Sequence, residues 1–438
     1  MLAAAVAAVA VAGVVVAVVV SSGGGSDEAA PSSRPATTPA RTSPTTLATT
    51  HSTVTSSPTA PVDTRRVQLP PPPGPGSPRA RTLIVGVVDD ALAQSDASFA
   101  GAQVDLSRNA RFDAAMVSAT WKRGQRRPPT DLVRVLRNVA AATRRDHMRL
   151  FVMVWHGLAR DTPRNASERA AFAEFAAGVV KAVPSVHAVV VGNEPNLSTF
   201  WKPQFGARGR DLAAVGYADL LGRTYDAVKE ADDGVIVLGG ALSPRGADRP
   251  HGSRPTHSPT AFIRDLGAAY RASGRDRPLM DGFAIHPYMQ FSRASPSEKH
   301  AANTSITIAD YPKLVALLDQ AFRGTAQPGG RMPVYYTEFG VQTTVPPAKR
   351  SFYSDPESPG RADGVSFATQ AAYYRQALAL AYCQPTVQGL FVFHTFDEAD
   401  YAGWQSGLYF ADRTPKPTLD GFRRAVADLR AGKLTTCR

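Results

Sequence analysis

Two glutamates follow apolar runs that would otherwise carry them into a core. Glu194 sits in Gly192-Asn193-Glu194-Pro195-Asn196 behind HAVVV, and Glu338 in Thr337-Glu338-Phe339-Gly340 behind PVYY. An unpaired carboxylate in an apolar interior is costly, so each must reach a cleft or a partner. Two carboxylates that flank an acetal can divide the work of breaking it. One donates a proton to the leaving oxygen while the other attacks or stabilises the anomeric carbon. At about 5–5.5 Å apart they serve double displacement with retention of configuration. Mutual repulsion keeps one carboxyl protonated while its neighbour stays charged, and the repulsion vanishes once the nucleophile is esterified.

Such a pair needs a rigid frame, and the rest of the sequence supplies one. Past Thr82, short Val/Ile/Phe-rich runs alternate with amphipathic stretches, the pattern of repeated βα units around a parallel sheet. Eight runs read as strands: 82–90, 114–121, 150–157, 187–195, 234–242, 281–288, 333–340 and 389–397. Their continuous apolar character suits strands buried on both faces. Eight strands, each followed by helical sequence over about 350 residues, predict a (β/α)8 TIM barrel, whose sites form where strands end at the C-terminal face. An open doubly wound sheet is the alternative, but it would bring a glycine-rich phosphate loop after an early strand, and Gly239-Gly240 is not one.

With that placement, Asn193-Glu194-Pro195 at the end of a fourth strand resembles the acid/base motif of the clan A retaining glycoside hydrolases (the family 5 and family 39 type). Glu338, 144 residues later in TEFG, matches that clan's strand-seven nucleophile. DGFAIHPY at strand six and SGLYFADRTPKPTLDGF after strand eight are similar to further segments of the clan, so the resemblance runs from Thr82 to the C-terminus. It implies a glycosidase acting on a poly- or oligosaccharide without a cofactor, Glu194 as acid/base and Glu338 as nucleophile. It also implies that Asn193 bonds the hydroxyl beside the anomeric carbon and that Tyr288 steadies the nucleophile.

Other residues are candidates by position. His156 and His286 close strands and are expected to face the pocket and meet sugar hydroxyls, a buried core histidine being the alternative for each. Trp155, Trp201 and Trp404 lie at strand ends or in loops, where they either stack on sugar rings or simply pack. Strand eight lacks the tryptophan many clan members carry, leaving Phe393, His394 or Phe396 to stand in. Strand two ends Ser118-Ala119-Thr120-Trp121, without the arginine common there. The histidines lack metal-ligand spacing, and two cysteines exclude a cysteine-based metal cluster.

Residues 1–20 form an uncharged Ala/Val/Leu run of bilayer-spanning length, read as a signal peptide or a membrane anchor. Residues 21–81 are rich in Ser, Thr and Pro and read as a disordered linker, so the folded domain is expected at 82–438. Both readings place the domain outside the cytoplasm, secreted or tethered. There Cys383 and Cys437, near the ends of the last two helices, are expected either to pair or to stay as free thiols. Of the net charge of +12, +3 falls in residues 1–81 and +9 on the remainder. No Lys/Arg stripe interleaved with aromatics points to nucleic acid, so the basic surface is either simply solvated or suited to an acidic polysaccharide. The chain is expected to act as a monomer. Long insertions at 243–259, 289–310 and 341–364 either build a cleft or remain mobile surface. Two rival readings keep the same barrel: a non-hydrolytic carbohydrate-binding protein, and a transglycosylase in polysaccharide assembly.

Overall fold

A computed structural model describes Val62 and residues 79–438, apart from 358, 359, 361, 362, 435, 436 and 438. The expectations for residues 1–20 and for nearly all of 21–81 lie outside the described residues. Among the described residues no helix is long and apolar enough to cross a membrane.

Eight parallel strands close into one barrel in sequence order. They are β1 (Ile84–Val88), β2 (Ala114–Thr120), β3 (Arg149–Trp155), β4 (Val186–Val191), β5 (Ile236–Leu242), β6 (Gly282–Ile285), β7 (Val334–Phe339) and β8 (Val387–Phe393). After each comes its helix: α1 (Ala97–Asn109), α2 (Thr130–Arg145), α3 (Ala166–Ala182), α4 (Leu212–Ala231), α5 (Pro259–Ala272), α6 (Tyr311–Phe322), α7 (Phe367–Cys383) and α8 (Thr418–Arg430). All eight runs read from the sequence coincide with strands, and the barrel is the expected (β/α)8 fold. Side-chain caps from Asp96, Asn165, Asp211, Ser258 and Ser366 start α1, α3, α4, α5 and α7. Each accepts an otherwise orphaned N–H of the first turn.

Strand alternation sorts the apolar side chains into two layers. Ile84, Val88, Met116, Phe151, Met153, Ala188, Val190, Ala284, Tyr335 and Phe391 fill the barrel interior. Their neighbours Val85, Val87, Val152, Val154, Val189 and Val191 pack outward against the helices. Phe391 crosses the lumen edge-on to Phe151, with centroids 4.8 Å apart. A Cβ at Gly86 would lie 2.4 Å from the Phe391 ring, so only glycine admits that ring. Asp89 closes the β1–β8 seam by accepting from the Thr395 and Phe396 N–H groups at 2.9 and 3.2 Å.

A helical turn at Arg79–Thr82 precedes β1. The Arg79 guanidinium donates to carbonyls at the end of α7, including Tyr382 at 2.9 Å and Gln384 at 2.7 Å. Cys383 and Cys437 form a disulfide across 54 residues. A loop of that length corresponds to about 4 kcal/mol in the chain-entropy account. The long insertions are anchored. The Lys313 ammonium donates to the Asn303 and Ser305 carbonyls (3.0 and 2.7 Å), gathering 289–310. Ser292 donates from both N–H and hydroxyl to Asp363, each at 3.2 Å, tying that loop to 341–364.

Candidate active site

Alternation continued past the strand ends decides which residues face the barrel mouth. Counting on from Val190, Ala284, Met153 and Phe391, the inward positions are Glu194, His286 and Tyr288, Trp155, and Phe393. Glu338 breaks the rule. Tyr335 points inward, so strict alternation would turn Glu338 toward the helices. The pairing runs Tyr336 to Leu390 and then Phe339 to Val392, so Thr337 and Glu338 together oppose Phe391 alone. This bulge shifts the pattern by one residue. Phe339 turns outward to pack near Tyr374 at 6.3 Å, and Glu338 faces the mouth.

Glu194 has its own backbone device. Its φ is +39°, a left-handed conformation unusual for a residue with a side chain. A second irregularity, at Ala241 in β5 (φ +46°), presents the carbonyl that accepts from the Glu194 N–H at 2.8 Å. The Asn196 side chain braces the turn, bonding Ser243 through both its N–H and its carbonyl and reaching the His257 carbonyl at 3.0 Å. Strain of this kind persists where the surroundings over-determine the conformation, commonly at functional sites.

The two carboxylates meet at one imidazole. His286 Nδ1 lies 3.1 Å from Glu194 Oε1 and 3.5 Å from Glu338 Oε2. Those oxygens are therefore at most about 6.6 Å apart, and closer for any bent arrangement. The Tyr288 hydroxyl donates to Glu338 Oε2 at 3.0 Å. Both glutamates are more than nine-tenths buried. Burial raises the Glu338 pKa, His286 opposes it, Glu194 adds to it, and the Tyr288 hydrogen bond and His394 lower it, leaving a net rise. Burial disfavours the His286 imidazolium, but the charges of Glu338 and Glu194 outweigh it and hold its pKa above the ordinary value. The same surroundings push Tyr288 far up, so its phenol remains a donor.

Around the pair lie buried polar atoms without partners: Trp155 Nε1, Asn193 Oδ1, His286 Nε2 and Thr337 Oγ1. Four such atoms at the ends of β3, β4, β6 and β7 call for hydrogen-bonding groups from outside the protein. The aromatic wall is Phe393 and Trp404. The Trp404 ring stands 5.2 Å from Tyr288 and 5.3 Å from Phe393, and His394 stacks on Phe393 at 3.8 Å.

No protein-family model matches the chain, and neither does any curated protein sequence. Among solved structures it is similar to a broad-specificity GH5-4 endoglucanase from Clostridium longisporum (TM-score 0.53, 14% identity, 81% of this chain and 97% of that one). It is also similar to a GH53 catalytic domain from Ignisphaera aggregans (TM-score 0.52, 17% identity, 82% and 99%). The likeness is one of fold, a closed (β/α)8 barrel similar to those of these glycoside hydrolases. The chain spans only 34% of a Bacteroides uniformis β-glucuronidase it also matches, at 12% identity and a TM-score of 0.48.

On this glycoside hydrolase fold the remaining expected residues divide. His286 reaches both carboxylates through Nδ1, and its Nε2 is left unpartnered. His156 points to the helix side. Its ring meets Trp201 edge-on at 5.6 Å, Trp201 meets Tyr217 of α4 at 5.9 Å, and Nδ1 lies 3.3 Å from the Leu158 carbonyl. His156 and Trp201 are thus packing residues, and Phe396 is likewise buried, under Arg413. The strand-eight gap is filled by Phe393 from the strand and Trp404 from the following loop. Sequence reasoning missed Arg245, just beyond β5, whose guanidinium donates to the Tyr288 carbonyl at 3.1 Å within the field of Glu194. Ser-Pro-Arg in a variable loop carries no motif that would have revealed it.

Burial pushes the His156 imidazole down to about 4. The unfolded imidazole titrates near 6.5, so the stability this group confers is complete above that pH and lost as pH falls through about 4, a difference of about 3 kcal/mol. Urea midpoints at pH 7 and pH 4 check this. His156→Gln should narrow the gap between them, and an unchanged gap would place the acid sensitivity elsewhere.

Proposed function

We propose that the protein is a retaining O-glycosidase acting on a poly- or oligosaccharide. The observation that carries this reading is the pair of buried glutamates from β4 and β7 brought together at one imidazole. Glu194 donates its proton to the glycosidic oxygen as the bond to the anomeric carbon breaks. Glu338 attacks that carbon and forms a glycosyl ester. Glu194, now a carboxylate, takes a proton from water, which attacks the anomeric carbon and releases the Glu338 carboxylate. Tyr288 and His286 both favour the charged form of Glu338 that attack requires, offsetting part of its burial. Two oxygens within about 6.6 Å of each other leave room for the close carboxylate spacing that double displacement uses. Trp155, Asn193 and Thr337 supply hydrogen bonds to hydroxyls, and Phe393 and Trp404 supply apolar faces for a sugar ring.

A carbohydrate-binding protein without turnover is the rival suggested by the missing strand-eight tryptophan and strand-two arginine, and the retention of both glutamates argues against it. The Cys383–Cys437 disulfide supports an oxidising, extracytoplasmic location. The test is a screen of the full chain for reducing-end release across a polysaccharide panel, with the anomer of the first product read by proton NMR. The reading requires cleavage with retention. Glycan binding without cleavage, or an inverted product, would reject it.

A further inference from the structure

A second cluster of chemistry-bearing side chains lies where the β4–α4 and β5–α5 loops meet. Asp211, the N-cap of α4, His257, just ahead of α5, and Asp265, on α5, each present a ligand atom, all within 4.8 Å of one another. His257 Nε2 is 3.3 Å from Asp211 Oδ1 and 3.1 Å from the Gln204 carbonyl oxygen. Asp211 Oδ1 already caps the helix by accepting from the Ala214 N–H at 2.7 Å, but its other oxygen, Oδ2, is buried without any partner. The Asp211 side chain is only 4% exposed and that of His257 3%, so both lie away from bulk water.

We propose that Asp211, His257 and Asp265 form a structural site for one divalent transition cation of the Zn2+ type, with the Gln204 carbonyl as the fourth ligand. A tetrahedral Zn2+ held at about 2.0–2.2 Å from nitrogen and oxygen ligands keeps neighbouring ligands about 3.3 Å apart. The His257 contacts already have that spacing, so the ion takes the place of the Nε2 proton, and a rotation of Asp265 closes the set. The donor chemistry, one imidazole with carboxylates, selects a borderline cation over Ca2+, which takes oxygens alone.

Charge points the same way. Two carboxylates beside one imidazole gather negative charge in a poorly solvated place, which a divalent ion offsets. Arg264, 3.6 Å from Asp265, reaches only that carboxylate's oxygen. Spacing along the chain conceals the set, because its members come from three separate elements and only one is a histidine. The ion would clamp the two loops that position Glu194, since the His257 N–H donates to the Asn196 carbonyl at 2.9 Å and the Asn196 amide returns a bond to the His257 carbonyl.

The experiment titrates ZnCl2 into the chelator-treated full chain, with calorimetry for affinity and stoichiometry and thermal melting in parallel. Asp265→Asn and His257→Gln are run beside the wild type. Asp265 is partly exposed and caps nothing, so its variant reports on the site even where His257→Gln fails to fold. We expect one Zn2+ per wild-type chain, a higher melting temperature with the ion, and affinity at least about tenfold weaker in Asp265→Asn. No stoichiometric binding, or binding undiminished in Asp265→Asn, would overturn the proposal. So would CaCl2 stabilising wild type and His257→Gln alike, since that would make it an oxygen-only site.

Discussion

Glu338→Gln is expected to leave almost no hydrolysis of any substrate the wild type cleaves. The amide is nearly isosteric and keeps an acceptor for the Tyr288 hydroxyl, so the loss falls on kcat and not on folding. Glu194→Gln should lose on the order of 10²–10⁴-fold, the range of general acid–base catalysis. Its deficit should depend on the leaving group. An aryl glycoside with an acidic phenol departs without a proton, so formation of the glycosyl ester survives in Glu194→Gln and its hydrolysis becomes limiting. A burst of phenol followed by slow turnover is the expected record, whereas Glu338→Gln should show neither phase. Equal losses on natural and activated substrates in both variants would contradict the division of roles.

The second large effect concerns the segment that carries Trp404. The Lys416 ammonium is buried and donates to Asp397 Oδ1 at 2.6 Å, Thr343 Oγ1 at 2.8 Å and the Gln405 carbonyl at 3.0 Å. Asp397 also accepts from the Tyr353 hydroxyl at 2.7 Å and the Gly407 N–H at 3.0 Å. Lys416 thereby joins the β7–α7 loop to the β8–α8 loop next to Trp404. Lys416→Met strands a buried carboxylate, and breaking such a pair costs about 3–5 kcal/mol. Urea unfolding should show a loss of that size. The double variant Lys416→Met, Asp397→Asn removes the stranded charge and keeps one carbonyl oxygen for the Gly407 N–H, with an amide NH2 to donate to the Tyr353 hydroxyl, and should recover part of it. A single variant within about 1 kcal/mol of wild type would show that the pair does not hold these loops. Where Lys416→Met still folds, a displaced Trp404 should appear as a raised KM.

The Pro-Lys-Pro segment that helps identify the fold is therefore a structural fastening, and the sequence could not reveal its partner, Asp397, because the pairing is formed only by the tertiary structure. The barrel itself was legible, since buried parallel strands write themselves as apolar runs and eight were countable. Glu194 was legible twice over, by motif and because it continues the inward alternation of Ala188 and Val190. Glu338 was legible by motif alone. Periodicity would have assigned it to the helix side, and only the bulge opposite Phe391 turns it inward. His156 shows the converse: its alternation from Met153 and Trp155 already placed it on the outer face, and its position at a strand end was the weaker guide. His286 had the right location but a different task, because nothing in DGFAIHPY says that one ring nitrogen will reach carboxylates from two other strands. Trp404 and Arg245 reach the site from loops, where neither period applies.

In the proposed mechanism Glu338 becomes covalently bonded to the sugar. The most direct measurement exposes the full chain to an activated 2-deoxy-2-fluoro glycoside of the sugar it cleaves, followed by intact-mass and peptide mass spectrometry. Fluorine at C2 destabilises the oxocarbenium-like transition states, and the activated leaving group lets formation outrun hydrolysis, so the ester accumulates. The expected result is one added glycosyl unit per chain, carried by the peptide containing Glu338 and absent from Glu338→Gln. A label on Glu194 or any other residue, or turnover with no covalent adduct, would contradict it.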